Sequence, residues 1–431
     1  MTDHPTPKPA TTDTTAPAVN AEDIPPAGAD TPCREPAEPR RGGGFAAGVK
    51  AALGKVFRFR PPNVRLEGKG KPVNLALQGG GAHGAFTWGV LDAILADDRL
   101  EIESVSGTSA GAMNAVVLAD GLSRGGKQAA REGLEAFWRK VADAGRFTPW
   151  KRGPHGWLTG SWSLDGNPWF IWADLMQRLY SPYEFNPSNY NPLQGIVEAA
   201  VDFERVRRCD RVQVFVTATS VTTGRPRVFR HDELTARHIM ASACLPHLYQ
   251  AVEIDGDAYW DGGYMGNPAL WPFIYRGGSR DIVLVQINPL RRQAVPRTAR
   301  EIINRLNEIT FNASLYREMR AIAFVDRLLE QGKLDPQDYK RMFIHMISGE
   351  QEMDALSASS KFNTEWEFLC WLRDLGAAKA RGWMEAHAAS VGRQSTVDIG
   401  RTFLGAGETD AVPPWLLAAP APPAPAATGG G

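Results

Sequence analysis

The middle of the sequence consists of short apolar runs that alternate with segments of helical periodicity. Short apolar runs predict buried strands, and apolar residues that recur every three or four positions predict helices. Strands that alternate with helices pair in parallel and are covered by helices on both faces. The alternation therefore predicts an α/β fold with a largely parallel central sheet. The predicted strands are Val73–Gln78, Ile102–Ser106, Val212–Ala218 and Ile282–Ile287, and helices at Gly84–Asp97 and Ala110–Ala119 follow the first two.

Composition separates this middle part from the two ends of the 431-residue chain. Residues 1–44 are rich in proline and polar side chains, and residues 401–431 are rich in alanine, proline and glycine. Neither end carries enough apolar surface to offset chain entropy, so we predict that both are disordered. Residues 45–70 mix basic and apolar side chains. This lead-in fits two roles: an amphipathic segment lying on anionic lipid, or a solvated first helix packed on the domain.

Charge and cysteine content bear on partners and location. The 48 basic and 48 acidic residues cancel, which gives no reason to expect nucleic acid as a partner. The four cysteines form no C-x-x-C pair, so we expect a reducing cytoplasm rather than a disulfide framework or a zinc site. The sequence shows no signal peptide and no apolar run of the ~18 residues that a spanning helix needs. Any membrane contact is expected to be peripheral, at the inner face, and the oligomeric state stays open.

A glycine-rich loop of sequence GGGAHG, residues 79–84, lies directly between the first predicted strand and its helix. Glycines let backbone N–H groups approach a ligand, and the helix that follows adds the positive end of its dipole. The loop suits a phosphate or the tetrahedral oxygen of an acyl transfer. It also fits the dinucleotide pattern G-x-G-x-x-G, in which Gly79, Gly81 and Gly84 would contact a pyrophosphate. By itself, the loop leaves both chemistries open.

The sequence GTSAG, residues 107–111, follows the second predicted strand and opens the second predicted helix. This is the G-x-S-x-G pattern of a nucleophile elbow in its strand–turn–helix setting. Gly107 and Gly111 keep the sharp turn free of clashes, and the helix start favours negative charge near Ser109. A dinucleotide-binding fold would instead place Asp or Glu at the end of this strand. The strand ends in Ser106 and Gly107, which counts against the dinucleotide interpretation. Because a strand and a helix are placed correctly around it, the motif is interpreted as catalytic rather than as a simple turn.

The third motif is Asp261-Gly262-Gly263, which by itself more often makes a turn than a catalytic site. As a set, the glycine-rich loop, GTSAG close behind it and DGG much later resemble the patatin-like phospholipase family. The sequence ASACLP, residues 241–246, is similar to the small-residue and proline stretch that precedes the Asp motif of that family. The resemblance identifies residues 71–290 as a patatin-like catalytic domain, which a helical region at residues 291–400 follows. Thr298–Glu330 in that region has the pattern of one long amphipathic helix or a pair.

The resemblance implies a three-layer α/β/α fold and a Ser–Asp dyad, with Ser109 as nucleophile and Asp261 as base. It implies an oxyanion hole formed by backbone N–H groups of Gly79, Gly80, Gly81 and Ala110, with motif support from Gly84, Gly107, Gly111, Gly262 and Gly263. Its substrates would be phospholipids, lysophospholipids or neutral acylglycerols, and no metal or other cofactor is expected. The family loop usually carries Arg or Lys where this chain has His83, so anion stabilisation is expected to be weaker and pH-dependent.

Three other interpretations stay open. A Ser–His–Asp triad would need a histidine after Asp261, and His345 and His387 both fall within apparently regular segments, where structural roles are expected. A nucleotide-binding module could use residues 79–84 without any hydrolase activity. A catalytically silent relative could recruit partners through its tails.

Residues 146–192, the aromatic cover, are rich in Trp, Tyr and Phe and are interrupted by glycine and proline, which predicts mostly loop. If exposed, these rings would suit a lipid interface or an acyl-chain pocket, because Trp and Tyr favour boundaries with one wet side. If buried, they would close one side of the domain. The segment is consistent with a long-chain acyl ester as substrate.

Overall fold

The computed structural model describes residues 64–405, except residues 67, 147, 277 and 293. Segment 1–44, most of the lead-in 45–70 and the tail from residue 406 lie outside the described residues. Within them the strands are β1 Lys71–Leu77, β2 Leu100–Gly107, β3 Gln213–Ser220, β4 Pro226–Arg230, β5 Val252–Ile254, β6 Asp257–Asp261, β7 Asp281–Gln286 and β8 Phe343–Ser348. Four 3-10 turns lie at Gly81–His83, His231–Glu233, Gly262–Tyr264 and Ala358–Phe362.

The α-helices of the described residues surround these strands. They are α1 Gly84–Leu95, α2 Ala110–Gly145, α3 Pro154–Thr159, α4 Pro168–Leu179, α5 Pro182–Phe185, α6 Pro192–Ala200, α7 Phe203–Arg207, α8 Ala236–Ser242, α9 Trp271–Arg276, α10 Ala299–Glu330, α11 Glu350–Asp354, α12 Trp366–His387 and α13 Ile399–Phe403. None of the helices in this part of the chain is both long enough and apolar enough to cross a membrane.

The strands form one mixed sheet in the order β5-β6-β3-β2-β1-β7-β8, and β4 pairs with β3 outside this path. Neighbours from β3 through β2, β1 and β7 to β8 run parallel. Strands β4 and β6 pair antiparallel with β3, and β5 pairs antiparallel with β6. The sheet is therefore largely parallel, as predicted, and becomes antiparallel at the edge that carries β6.

Side chains of β7 alternate between two apolar clusters on opposite faces of the sheet. Val283 and Val285 belong to the main cluster, whereas Ile282 and Leu284 belong to the second. Helices α1, α2 and α12 contribute to the main cluster, and α9, α10 and α13 contribute to the second. Helices thus cover both faces of the sheet, which confirms the predicted α/β fold with three layers.

Helix α12 packs closely on α1 because both helices carry glycine at the contact. A Cβ on Gly89 would lie 1.9 Å from the Arg373 carbonyl oxygen, and one on Gly376 would lie 2.0 Å from the Phe86 carbonyl oxygen. Only glycine allows two backbones to approach this closely. Residues 366–387 are consequently part of the main core.

The C-terminal region, predicted as helical at residues 291–400, also contains a strand. Strand β8, of sequence FIHMIS, extends the sheet by pairing in parallel with β7. Thr298–Glu330, predicted as one helix or two, contains the single helix α10. Helix α13 crosses the predicted start of the tail at residue 401, and its Ile399 and Phe403 are buried. Strand β8 forms through its pairing with β7, and α13 through packing on α10; a local sequence pattern carries neither contact.

About half of the aromatic cover is helical, and the rest is loop as predicted. Helices α4, α5 and α6 each begin with proline. The preceding residues, Asn167, Ser181 and Asn191, cap the first turn with their side chains. Proline suits the first helical position because the N–H that it lacks would have no partner inside the helix. The prolines that were interpreted as interruptions are therefore helix starts.

Candidate active site

Ser109 lies at the turn between β2 and α2, with φ of 54° and ψ of −122°. A residue with a Cβ adopts such angles only at a cost of roughly 1–3 kcal/mol. The Ser109 N–H donates to Ser242 Oγ at 2.9 Å, and Ser242 Oγ donates to the Thr217 carbonyl oxygen at 2.6 Å. Gly111 allows the turn, since a Cβ there would lie 2.2 Å from the Leu77 carbonyl oxygen. The strained turn presents a partly exposed serine side chain at the carboxyl edge of the parallel strands, as a nucleophile elbow does.

The register of β3 brings Asp261 to the level of Ser109. Gly107, the last residue of β2, is opposite Val216, so the register continued to Ser109 reaches Ala218. Asp261 of β6 is paired with this same Ala218. Because β4 occupies the other side of β3, β6 lies on the side of β2, just beyond the end of that strand. Ser109 and Asp261, widely separated in sequence, therefore meet beyond the carboxyl end of β2.

The carboxyl group of Asp261 is almost completely buried, with 1% of the residue surface exposed. Its Oδ1 accepts the Gly263 N–H at 2.7 Å, whereas its Oδ2 has no hydrogen-bond partner of standard geometry among the described residues. Burial raises the pKa of Asp261 from 3.8 to about 7, against opposing effects of the Gly263 N–H, the Ser109 hydroxyl and the Lys361 ammonium. A carboxylate in this condition is a much stronger base than an ordinary Asp.

One predicted N–H donor of the glycine-rich loop is already hydrogen-bonded within the protein, and the others have no assigned acceptor among the described residues. Gly79 N–H donates to Asn267 Oδ1 at 2.6 Å, so it is not available to an oxyanion. Within the described part of the chain, no acceptor is assigned to the N–H groups of Gly80, Gly81 or Ala110. Gly81 has a φ of 61°, a left-handed conformation that glycine adopts without strain. Three of the four predicted donors thus have no assigned acceptor among the described residues.

The other predicted glycines lie where the three motifs contact one another. Gly84 begins α1 and faces the methyl group of Ala110, at 2.7 Å from where its Cβ would be. Gly107 ends β2. Gly262 faces the Thr217 carbonyl oxygen at a corresponding distance of 2.0 Å, and Gly263 supplies the N–H that holds Asp261. Each supports the packing of one motif against another rather than contacting a ligand.

His83 is a neutral structural residue in this site. Its Nε2 is 2.8 Å from Ser360 Oγ, and the ring is buried. Burial, and then the charges of Lys361 and Arg292, hold the pKa of His83 well below its usual value. The expected pH-dependent positive charge at this position is therefore absent near neutral pH.

His345 and His387 lie away from the dyad. His345 Nε2 contacts Asp281 Oδ1 at 2.9 Å, and Asp281 is the first residue of β7, at the amino edge of the parallel strands. His387 is the last residue of α12. Among the described residues, no histidine is hydrogen-bonded to Ser109 or Asp261, so the structure shows no Ser–His–Asp triad there.

Several residues of the site were not predicted from the sequence. Asn288 Nδ2 donates to the Gly79 carbonyl oxygen at 2.7 Å, and Asn267 fixes the N–H of the same glycine. Ser242 holds the elbow, and the Cys244 carbonyl oxygen accepts the Asp261 N–H at 2.7 Å. The last two lie in ASACLP, residues 241–246, which was the one available signal. The asparagines carry no local pattern that marks them.

Comparison with solved structures finds several proteins to which the chain is similar. The chain is similar to VipD from Legionella pneumophila, at 13% identity over 75% of this chain and 72% of that chain, with a TM-score of 0.31. It is also similar to the type III effector protein ExoU, at 14% identity over 74% of this chain and 60% of that chain, with a TM-score of 0.25. A third similar structure is full-length ExoU with SpcU from the type III secretion system of Pseudomonas aeruginosa, at 12% identity, 78% and 68% coverage and a TM-score of 0.25.

No curated protein matches the chain significantly. The family model described as patatin-like phospholipase matches residues 75–274, a range that contains the glycine-rich loop, GTSAG and DGG. Residues 75–274 are thus identified as a patatin-like phospholipase domain, the domain of a family of lipid ester hydrolases.

Proposed function

We propose that the chain hydrolyses carboxylic esters of long-chain lipids, as a phospholipase A or lysophospholipase does, with Ser109 as nucleophile and Asp261 as general base. The observation that carries the proposal is the position of Asp261. Its unpartnered Oδ2 is buried at the level of a serine held in a strained, presented turn. A buried carboxylate oxygen without a partner is suited to accept the proton of the neighbouring serine hydroxyl.

The proposed reaction has two halves. In the first, the Ser109 hydroxyl proton passes to Asp261 as Ser109 Oγ bonds to the ester carbonyl carbon. The N–H groups of Gly80, Gly81 and Ala110 stabilise the resulting oxyanion. As the bond to the leaving alcohol breaks, the proton from Asp261 passes to that alcohol. In the second half, water attacks the acyl-enzyme, Asp261 accepts a water proton and returns it to Ser109, and the fatty acid leaves.

The raised pKa of Asp261, about 7, supports this assignment. A base works best when its pKa lies near the operating pH, because it is then both ionised and basic enough to take a proton. An Asp with the ordinary pKa near 3.9 would be ionised but a weak base. The dry surroundings that raise the pKa also suit an acyl chain.

The test compares wild type, Ser109→Ala and Asp261→Asn on p-nitrophenyl esters of increasing chain length and on phosphatidylcholine vesicles. Asp143→Asn, an exposed carboxylate on the same helix as the nucleophile elbow, is the matched control. We expect wild type and Asp143→Asn to release acyl groups with a preference for longer chains. Ser109→Ala and Asp261→Asn should each lose at least ~10³-fold in kcat/KM while remaining folded, with melting temperatures no lower than that of wild type.

Equal activity in all four proteins would remove Ser109 and Asp261 from the mechanism. Retention of NADH or ATP by a hydrolytically inactive wild type would instead favour the nucleotide-binding module on residues 79–84. Hydrolysis that appears only with vesicles, and still requires both residues, would leave the dyad in place and identify the lipid surface as an activator.

The surface of the aromatic cover supports a lipid substrate. Several of its large rings are exposed, with Trp169 62%, Trp172 57% and Tyr190 72% exposed. The cover also contacts other parts of the domain: Tyr183 and Asn186 accept hydrogen bonds from residues 250–251, and Trp150 and Phe170 pack on Phe362. Amphipathic rings of this kind favour a lipid–water interface. This surface is the proposed face for peripheral membrane contact.

Substitution of both Trp169 and Trp172 by Ser tests this face. We expect weaker sedimentation with phosphatidylcholine vesicles and slower vesicle hydrolysis, with unchanged kcat/KM on a soluble short-chain ester. Trp271→Ser, at a 40% exposed tryptophan on α9, is the control and should behave as wild type. Equal vesicle binding by all three proteins would exclude the aromatic cover as the lipid-facing surface.

A further inference from the structure

Lys361 brings a positive charge from the C-terminal region to the glycine-rich loop. Its Nζ donates to Asn288 Oδ1 at 2.9 Å, and the same asparagine donates to the Gly79 carbonyl oxygen at 2.7 Å. Its carbonyl oxygen would lie 2.5 Å from a Cβ on Gly81, so the backbone of residue 361 lies directly against the loop. One asparagine side chain therefore links the ammonium group to the loop that carries the free N–H groups.

The Lys361 charge is not neutralised locally. Among the described residues, no carboxylate oxygen lies within 4.0 Å of its Nζ. Glu308, the acidic group that faces it, is held by Arg292 at 2.6 Å and Arg305 at 3.1 Å. A cation with only an amide oxygen as its partner, next to a loop built for an anion, is an arrangement that favours negative charge nearby.

The charged and titratable groups around this centre are few in number. Lys361 is faced by Glu308, Arg292 and Asp261, and His83 beside it is neutral. Asp261 is faced by Lys361 and, less closely, by Cys244 and Tyr264, whose pKa values burial raises to about 12. Burial lowers the pKa of Lys361, while Glu308 and Asp261 oppose that shift. The Lys361 charge in turn lowers the pKa of Asp261.

Resting on the proposed function, we infer that Lys361 is the positioning residue that sets the electrostatic potential of the reaction centre. Its ammonium group stabilises the oxyanion that forms on the Gly80–Gly81 loop and tunes the basicity of Asp261. Because the oxyanion carries its charge only in the transition state, the effect falls on kcat rather than on KM. The last part of the described chain thereby completes a site whose other groups come from the family domain.

The experiment measures kcat, KM and the pH dependence of kcat/KM on a neutral p-nitrophenyl ester and on phosphatidylcholine vesicles. The variants are Lys361→Gln and Lys361→Met, which remove the charge, and Lys361→Arg, which keeps it. Lys333→Met, at an exposed lysine after α10, is the matched control, and Ser109→Ala reports the dyad itself. Thermal unfolding is recorded for every protein.

Both neutral variants should lose roughly tenfold to hundredfold in kcat on both substrates with little change in KM. Their kcat/KM should begin to rise at a higher pH than that of wild type, because the pKa of Asp261 is no longer lowered by a nearby cation. Lys361→Arg should restore most of the rate and the wild-type pH profile, and Lys333→Met should match wild type.

Neutral variants with an unshifted pH profile would overturn the inference, as would a loss of folding in both of them beside a normal Lys361→Arg. A loss seen only in KM for phospholipid would overturn it too, since it would make Lys361 a phosphate contact. Activity retained by Ser109→Ala would instead defeat the proposed function, so the two failures are distinguishable.

Discussion

At the residue scale, two residues of the site are unfavourable for folding stability but suit the proposed chemistry. Ser109 holds a left-handed backbone conformation, and Asp261 is a buried carboxyl group with one unpartnered oxygen within the described structure. Strain and unsatisfied polar atoms of this kind persist where the surrounding fold enforces them, and they concentrate at functional positions. Asp261→Asn should therefore affect stability and activity in opposite directions, whereas Ser109→Ala keeps the Cβ and with it the backbone strain.

Asp261→Asn is expected to abolish hydrolysis and to stabilise the protein at alkaline pH. Burial raises the pKa of Asp261 from 3.8 to about 7. Below both values the group is protonated in the folded and unfolded chains, so it costs little. As the pH rises through this window, the unfolded chain ionises freely while the fold resists, and wild-type stability falls. The variant avoids this loss, by up to a few kcal/mol at about 1.4 kcal/mol per pKa unit.

Thermal unfolding of both proteins from about pH 5 to about pH 9 measures this effect. The melting temperature of Asp261→Asn should exceed that of wild type by an amount that grows from about pH 5 to about pH 7 and then levels off. A constant difference across the range would contradict the raised pKa. Asp143→Asn provides the baseline for loss of an exposed carboxylate.

The pH dependence of wild-type activity should report the same group. On a neutral ester, kcat/KM should rise with pH around 7, because the free enzyme needs an ionised Asp261 to accept the serine proton. An acidic limb near pH 4, the ordinary value for Asp, would mean that burial does not govern this carboxyl.

At the element scale, helix α2 contains a kink whose cost can be measured directly. Gly126 has φ of 72° and ψ of −157°, a region that only glycine occupies readily, and a Cβ there would have nothing within 4 Å. Gly126→Ala should therefore cost roughly 1–3 kcal/mol from the backbone alone. Gly133, on the same helix, is helical, and a Cβ there would make ordinary contact with Val117 at 3.6 Å.

Urea denaturation of the two glycine variants is the measurement. Gly133→Ala should stabilise the protein by about 0.4–1 kcal/mol through the reduced entropy of the unfolded chain. If both substitutions shift the midpoint in the same direction, the kink is not held as described.

Elements with a clear local sequence pattern were predicted from the sequence, whereas elements that depend on distant contacts were not. The four predicted strands are uninterrupted apolar runs because parallel strands are buried on both faces. Strand β8 contains His345, whose burial depends on Asp281, a partner far away in the sequence. Within the site, the nucleophile elbow follows from a local turn. Asn267, Asn288 and Lys361 reach the loop only through the tertiary fold.

At the scale of the whole molecule, the family domain depends on the chain that follows it. Helix α12 contributes a buried set to the main core that includes Phe368, Leu369, Leu372 and Met384. Each such side chain is worth about 1.5–3 kcal/mol when buried, and a typical domain has a net stability of only about 5–15 kcal/mol. Removal of this helix together with β8 would exceed that margin.

A chain ended at residue 290 should therefore lose cooperative thermal unfolding and near-ultraviolet circular dichroism. Leu372→Ala in the full chain gives the graded counterpart and should cost about 2–5 kcal/mol. Arg381→Ala, at an exposed position of the same helix, should be nearly neutral. A cooperative, native-like truncated chain would show that the family domain folds independently of α12.

The contact between the 3-10 turn Ala358–Phe362 and the glycine-rich loop also bears on the order of events after synthesis. His83 and Ser360, joined by a hydrogen bond, are separated by 277 positions in the chain. Contacts that close such long loops form late in folding, because the entropy cost of closing the loop precedes the free energy gained from the contact. A nascent or half-folded chain would carry the elbow without its complete surroundings. The proposed ester hydrolysis would then begin only when folding is finished.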